Sequence, residues 1–198
     1  VGSEMCIRDR CTPCSAGTHA PTQGASACLT CANGTSSLPP YRECSECEKG
    51  EYSNLAVKAC TSCSSGSYSD VKGSPVCTKC PAGFASDQER SITKSDCMKC
   101  DAGKYAEMGS ANCKPAPSGT FTTSGSGTPK LCPAGHFAGA GATTCTVCPV
   151  STYSDQEGMA ECTPCVAGRI TPGVGSTSEE QCVSPESNFV TAIGTLIV

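Results

Sequence analysis

Cysteine spacing constrains this chain more than any other feature. CxxC pairs stand at Cys11/Cys14, Cys28/Cys31, Cys44/Cys47, Cys60/Cys63, Cys77/Cys80, Cys97/Cys100, Cys145/Cys148 and Cys162/Cys165, recurring every 16 to 20 residues. A fixed period of this length marks a repeat array, in which each unit is a small supersecondary element stacked on its neighbours. The chain holds 20 cysteines in 198 residues, with 21 Gly, 14 Pro, no Trp and only 5% aromatic residues. Such a composition cannot build a conventional oily core, and it points to a scaffold of loops and short strands joined by sulfur. The expected fold class is therefore small and disulfide-rich: an elongated tandem array of cysteine-rich repeats with short β-hairpins and loops and almost no helix.

Within each unit a glycine stands three residues after the last cysteine, at Gly17, Gly34, Gly50, Gly66, Gly83, Gly103, Gly135 and Gly168, with Ser151 as the departure. Glycine there allows φ > 0 and a tight turn directly after the crosslink. An aromatic often follows two residues later, as at Tyr52, Tyr68, Tyr105, Phe137 and Tyr153, and can lie over a bridge or the previous turn. Thr, Ser and Tyr around it favour a short strand.

One defective repeat indicates the pairing. Cys113 and Cys132 are lone cysteines, and aligning on Gly119 and Phe121 puts Ala116 where the second cysteine of a pair belongs and Pro129 where the first cysteine of the next belongs. Two positions that bond to each other are expected to be lost together, since losing one leaves a free thiol. Extended along the chain, the rule joins Cys14–Cys28, Cys31–Cys44, Cys47–Cys60, Cys63–Cys77, Cys80–Cys97, Cys100–Cys113, Cys132–Cys145, Cys148–Cys162 and Cys165–Cys182. Each bridge closes a short loop and contributes about 3 kcal/mol in the chain-entropy model. On this reading neighbouring loops share only the two residues inside each CxxC, the array is a rod, and the unbridged loop from Ala116 to Pro129 is its weak joint.

Paired CxxC motifs are also the signature of zinc knuckles with four thiolate ligands. That alternative leaves Cys113 and Cys132 as incomplete ligands, whereas a disulfide ladder loses one bond and stays balanced. His19 and His136 occupy ordinary repeat positions, His19 where other units carry Tyr or Phe, and no cofactor or metal site is expected. No convergent polar set suggests an enzyme. Charge argues against nucleic acid as a partner, because 14 basic residues are outnumbered by 18 acidic ones.

Twenty cysteines persist as bridges only in an oxidising compartment, so an extracellular or cell-surface location is expected. Asn33-Gly34-Thr35 is an N-glycosylation sequon, which makes Asn33 a glycosylation candidate. Val1–Arg10 (VGSEMCIRDR) differs from the rest and resembles a translated sequencing adaptor. We read it as a non-native leader, with Cys11 expected to pair upstream of it and the true N-terminus, with any signal peptide, to lie beyond. Ser176–Ser187 reads as a charged linker. Phe189–Val198 is apolar but too short to span a bilayer, so it is either the start of a membrane span continuing beyond Val198 or a strand of a following domain.

The motifs CTKCPAGFAS, CPAGHFA and CTVCPVSTYS resemble the ephrin-receptor-like cysteine-rich repeat. That module is similar to tumour-necrosis-factor-receptor and growth-factor-receptor-type repeats. The resemblance covers about residues 11–183, some ten repeats, with residues 184–198 as a linker and the start of the apolar segment. It implies a non-enzymatic extracellular structural or interaction region, a disulfide-stapled spacer in a cell-surface or secreted protein. A ligand-binding receptor ectodomain is the second implication. Partners would be protein ligands or neighbouring extracellular domains, and membrane contact would come only through a span past Val198. Neither ephrin binding nor kinase activity carries over with the cysteine repeats.

Overall fold

The computed structural model describes residues 4–7, 10–22 and 25–185. The Phe189–Val198 segment therefore lies outside the described residues. The chain divides into two compact units, Val1–Met98 with Met108–Asn112, and Lys99–Glu107 with Cys113–Val198.

The repeats before Cys165 are built the same way, and in the last described repeat a single β-bridge between Ile170 and Val183 replaces the hairpin. The residue pair after the turn glycine forms a two-residue strand, which pairs antiparallel with the two residues between the next CxxC cysteines. In the first unit Thr18–His19 pairs with Leu29–Thr30, Thr35–Ser36 with Ser45–Glu46, Glu51–Tyr52 with Thr61–Ser62, and Ser67–Tyr68 with Thr78–Lys79. In the second, Lys104–Tyr105 pairs with Lys114–Pro115, Thr120–Phe121 with Lys130–Leu131, His136–Phe137 with Thr146–Val147, and Thr152–Tyr153 with Thr163–Pro164. Strands this short are marginal alone and need a covalent or tertiary clamp. Glu4–Ile7, assigned from sequence to a leader, also forms a strand, antiparallel to Arg10–Pro13.

Nine disulfides clamp the hairpins: Cys14–Cys28, Cys31–Cys44, Cys47–Cys60, Cys63–Cys77, Cys80–Cys97, Cys100–Cys113, Cys132–Cys145, Cys148–Cys162 and Cys165–Cys182. Their Cα–Cα distances, from 5.4 Å at Cys47–Cys60 to 5.8 Å at Cys14–Cys28, suit an unforced bridge. Two loops are longer than the rest, with a separation of 17 residues at Cys80–Cys97 and Cys165–Cys182. A single 3-10 turn absorbs the excess in each, at Lys94–Asp96 and Glu179–Gln181. The same cap stabilises both turns. Ile92 and Thr93 donate their N–H groups to Asp96 Oδ2 at 2.9 and 3.0 Å, and Thr177 and Ser178 donate theirs to Gln181 Oε1 at 2.7 and 3.3 Å. Those two N–H donors hold the Asp96 carboxyl below the usual aspartate range.

The expectation that neighbouring loops share only the CxxC connection is corrected by the backbone. Consecutive repeats exchange main-chain hydrogen bonds: Gly34 N–H donates to Ser53 O at 2.6 Å, Gly50 to Ser69 O at 2.8 Å, Gly119 to Ala138 O at 2.6 Å and Gly135 to Ser154 O at 2.9 Å. A second left-handed residue recurs in the loops from Cys63 onward, at Gly73, Arg90 and Gly109 in the first unit and Gly125, Gly141, Gly158 and Gly175 in the second. Its N–H reaches back to the preceding repeat, as from Gly73 to Cys47 O at 2.9 Å and from Gly158 to Cys132 O at 2.8 Å. Its carbonyl packs against the turn glycine of the repeat before that, Gly73 on Gly34 and Gly158 on Gly119, where a Cβ would collide with the oxygen. Three successive repeats are thereby locked together. The physical cause is glycine's missing side chain, which lets two backbones approach at a turn.

The linker assignment of Ser176–Ser187 also needs correction at its start. Ser176 is 5% exposed and its carbonyl accepts the Ser154 N–H at 3.0 Å, so residues up to Cys182 belong to the last described repeat.

Ser151 takes the turn-glycine place with φ of +67°, the same left-handed conformation as its glycine counterparts. No described repeat packs on its Cβ from two units further along, so only backbone strain opposes serine here. Ser151→Gly is therefore expected to raise stability by about 0.5 kcal/mol. Relief of roughly 1–2 kcal/mol of left-handed strain is partly offset by glycine's freer unfolded chain. A denaturant melt showing Ser151→Gly less stable than the parent would contradict that balance.

Candidate functional site

The molecule's distinctive chemistry lies along the ladder of sulfur and small side chains. The cysteine just before each turn is in most repeats the deeply placed one: Cys47, Cys63, Cys80, Cys100, Cys132 and Cys148 are each 1% exposed or less, whereas Cys165 is half-buried. Beside them runs a position that cysteine and glycine spacing does not reveal, three residues beyond the turn glycine. It holds Ala20, Ser37, Ser53, Ser69, Ser86, Ala106, Thr122, Ala138, Ser154 and Thr171, all 3% exposed or less. Only small residues fit, because this position faces the adjacent repeat's backbone. The hydroxyls use that proximity: Ser37 Oγ donates to Thr18 O at 2.7 Å and Ser53 Oγ to Thr35 O at 2.9 Å. Thr122 Oγ1, in the repeat without a bridge, is the buried side-chain oxygen left without a partner among the described residues.

The aromatic position behaves as its spacing suggests in the clearest case. Tyr68, 8% exposed, packs against the Cys80–Cys97 pair of the next repeat together with Phe84. Tyr52, Tyr105, Phe121, Phe137 and Tyr153 are half-buried. Loss of hydration around the Tyr153 phenol, with Glu179 and Asp155 nearby, raises its pKa.

Two of the grooves that open on the first unit reach about 350 Å3 or more. One, of about 410 Å3, is lined by Tyr52, a run of hydroxyls from Thr61 to Ser67, Val76 and Lys79. The other, of about 350 Å3, is lined by Leu38, Glu46, Glu48, Glu51 and Ala59 among others. Glu48 is paired with Lys72 at 2.9 Å and Glu51 with Arg90 at 3.0 Å. The bond to Glu48 raises the Lys72 pKa. Exposed pairs of this kind orient side chains but add little stability. Neither groove brings together a nucleophile, a base and an oxyanion donor, the set that acyl or phosphoryl chemistry requires.

The cysteines from Cys14 to Cys182 are each bonded to another sulfur, so the thiolates a zinc knuckle needs are taken up. Asn33 stands exposed on its turn, with Oδ1 accepting the Leu55 N–H at 3.1 Å. His136 Nδ1 lies 3.3 Å from Ala134 O in its own turn. His19 differs: its Nδ1 is 3.1 Å from Cys44 Sγ, and the ligand atoms of His19, Cys31 and Cys44 all lie within 4.8 Å of one another. Among the described residues no helix is long and apolar enough to cross a membrane.

Comparison with known proteins agrees with the repeat geometry. The family described as tyrosine-protein kinase ephrin type A/B receptor-like matches residues 50–97 and 135–182, one stretch in each unit. No curated protein matches the chain.

Proposed function

Because this chain carries ephrin-receptor-like cysteine-rich repeats at residues 50–97 and 135–182, we propose that the whole run, residues 11–183, is a disulfide-stapled spacer. It belongs to a cell-surface or secreted protein and works without catalysis, holding apart or presenting the domains attached to it. In this reading residues 1–10 are a non-native leader, and residues 184–198 are a linker and the start of an apolar segment. The observation that carries the proposal is the ladder itself, nine bridges interrupted at one repeat, with most of the chain between Cys14 and Cys182 inside closed loops. Such loops cannot be drawn out by tension unless a covalent bond breaks, which suits a segment that keeps its length. Oxidising surroundings are required to keep the bridges, which supports the extracellular assignment. In that compartment the exposed Asn33 side chain is the acceptor for an N-linked glycan.

The exposed apolar side chains support a spacer over a receptor. Thirteen large apolar side chains, from Leu29 to Val174, are exposed among the described residues; they are spread along the repeats and none is aromatic. Binding hot spots, by contrast, cluster aromatic and Arg anchors in one desolvated patch. The test is secretion followed by mechanical extension. Exported behind a signal sequence from eukaryotic cells, the chain is expected to carry no free thiol between Cys14 and Cys182. Pulled from its ends, it will lengthen severalfold only after reduction. Free thiols in the exported protein, or equal lengthening with and without reductant, would overturn the proposal.

A further inference from the structure

The position two residues after the turn glycine sets a side chain over the following repeat's disulfide, as Tyr68 lies on Cys80–Cys97. In the repeat that starts at Cys14 this position is His19, and the bridge beneath it is Cys31–Cys44. A hydrocarbon ring there only shields sulfur. An imidazole 3.1 Å from Cys44 Sγ brings a polar ring nitrogen to it instead, an N–H donor in the tautomer protonated at Nδ1. The two sulfurs differ in access, since Cys31 is 5% exposed while Cys44 is half-buried.

We propose that the Cys31–Cys44 disulfide is a thiol-exchange site, opened by an external thiol of the glutathione class, with His19 as the group that promotes the exchange. The external thiolate attacks the accessible Cys44 Sγ, and a new S–S bond forms there. The Cys31–Cys44 bond breaks, and its electron pair leaves on Cys31 Sγ, which takes up the proton that the external thiol lost. A second external thiol then attacks the mixed disulfide and releases Cys44 as a thiol. The protein bridge is reduced by two electrons, and two external thiols are oxidised to one disulfide. The transition state of the first step carries negative charge over three sulfurs in line. That charge gathers mainly on the outer sulfurs; in the tautomer protonated at Nδ1, His19 donates to Cys44 Sγ at 3.1 Å and polarises the sulfur under attack, with the leaving Cys31 Sγ within 4.8 Å of the same ring's ligand nitrogen. Among the described residues the other histidine, His136, has its Nδ1 on a backbone carbonyl, so the exchange is selective for residues 31–44, the loop that carries Asn33.

The test uses the complete oxidised chain. It is exposed to reduced glutathione, quenched with N-ethylmaleimide at intervals, and mapped by peptide mass spectrometry. Cys31–Cys44 is expected to open about tenfold faster than the median of the other eight bridges, with glutathione first on Cys44. This is a smaller effect than the hundredfold or more that a fully preorganised, buried donor supplies. His19→Phe and His19→Tyr, the residue types at this position elsewhere in the chain, are expected to slow opening to the common rate. His136→Phe will leave the rate unchanged. The sign separates the two roles for His19, because losing a structural prop accelerates opening whereas losing the donor retards it. Opening of Cys31–Cys44 no faster than the rest in the parent chain would refute the site. Unchanged or faster opening in both His19 variants would refute the role of His19.

Discussion

Gly119→Ala is expected to destabilise the second unit by about 3 kcal/mol or more. Gly168→Ala, a chemically identical change, should cost only about 1 kcal/mol. The two glycines share a backbone conformation, with φ of +80° and +82°, so the strain of holding alanine in the left-handed region is common to them. They differ in surroundings. A Cβ on Gly119 runs into the carbonyl of Gly158, whereas one on Gly168 meets nothing within 4 Å among the described residues. Gly158 cannot retreat freely, because its N–H is bonded to Cys132 O at 2.8 Å. Alanine at 119 therefore forces apart three repeats at once, adding roughly 1–3 kcal/mol of overpacking to the strain. Thermal or denaturant melts of the oxidised variants decide it. Equal losses at the two positions would show that the glycines serve only local turns and that the contact between alternate repeats carries no energy.

Restoring the missing bridge is expected to act in the opposite direction. The double variant Ala116→Cys/Pro129→Cys will form a further disulfide and stabilise the second unit by about 3 kcal/mol, the loop-closure value for a ring of this size. The backbone already follows the course of a bridged repeat. Ala116 N–H donates to Gly103 O at 2.8 Å, as Cys132 does to Gly119 O at 2.9 Å, and Gly141 N–H donates to Ala116 O at 2.8 Å. Ala116 is fully buried, like the cysteines it replaces, and Thr120–Phe121 still pairs with Lys130–Leu131. The new bond therefore meets an arranged loop and need not bend one. Proteolysis within residues 116–129 should slow in the double variant, while either single substitution adds a free thiol without stabilising the unit. A double variant that oxidises cleanly but melts no higher than the parent would mean the hydrogen-bonded lattice alone holds this repeat as firmly as sulfur does.

Much of this architecture can be read from one-dimensional spacing, and the reasons are local. Loops of 13 to 17 residues close between near neighbours, so partners are never far apart along the chain. The coordinated absence of cysteine at Ala116 and Pro129 points to the same pairs that the structure joins. The turn glycines stand at a constant distance from the preceding cysteine, which makes them visible as well.

The second left-handed position is a different matter. It lies four residues before the cysteine position at Gly73, Gly109, Gly125, Gly141 and Gly158, but seven before it at Arg90 and Gly175, where a 3-10 turn intervenes. Arg90 is not even glycine. No fixed offset or residue type betrays the site. The small residue three beyond each turn glycine is equally inconspicuous, since Ala, Ser and Thr are ordinary loop residues until a neighbouring backbone is seen to cover them. His19 looks like one more member of the aromatic position, and only the 3.1 Å approach to Cys44 Sγ sets it apart.

By itself, then, the amino-acid order determined the covalent topology and the repeating hairpin, because disulfide pairing and turn chirality depend on residues within a single loop. Only the tertiary structure decided which turns meet across alternate repeats, which small side chains they bury, and which bridge receives an imidazole. Those contacts depend on how far the chain rises and rotates from one repeat to the next, a quantity summed over many backbone angles that no single residue encodes.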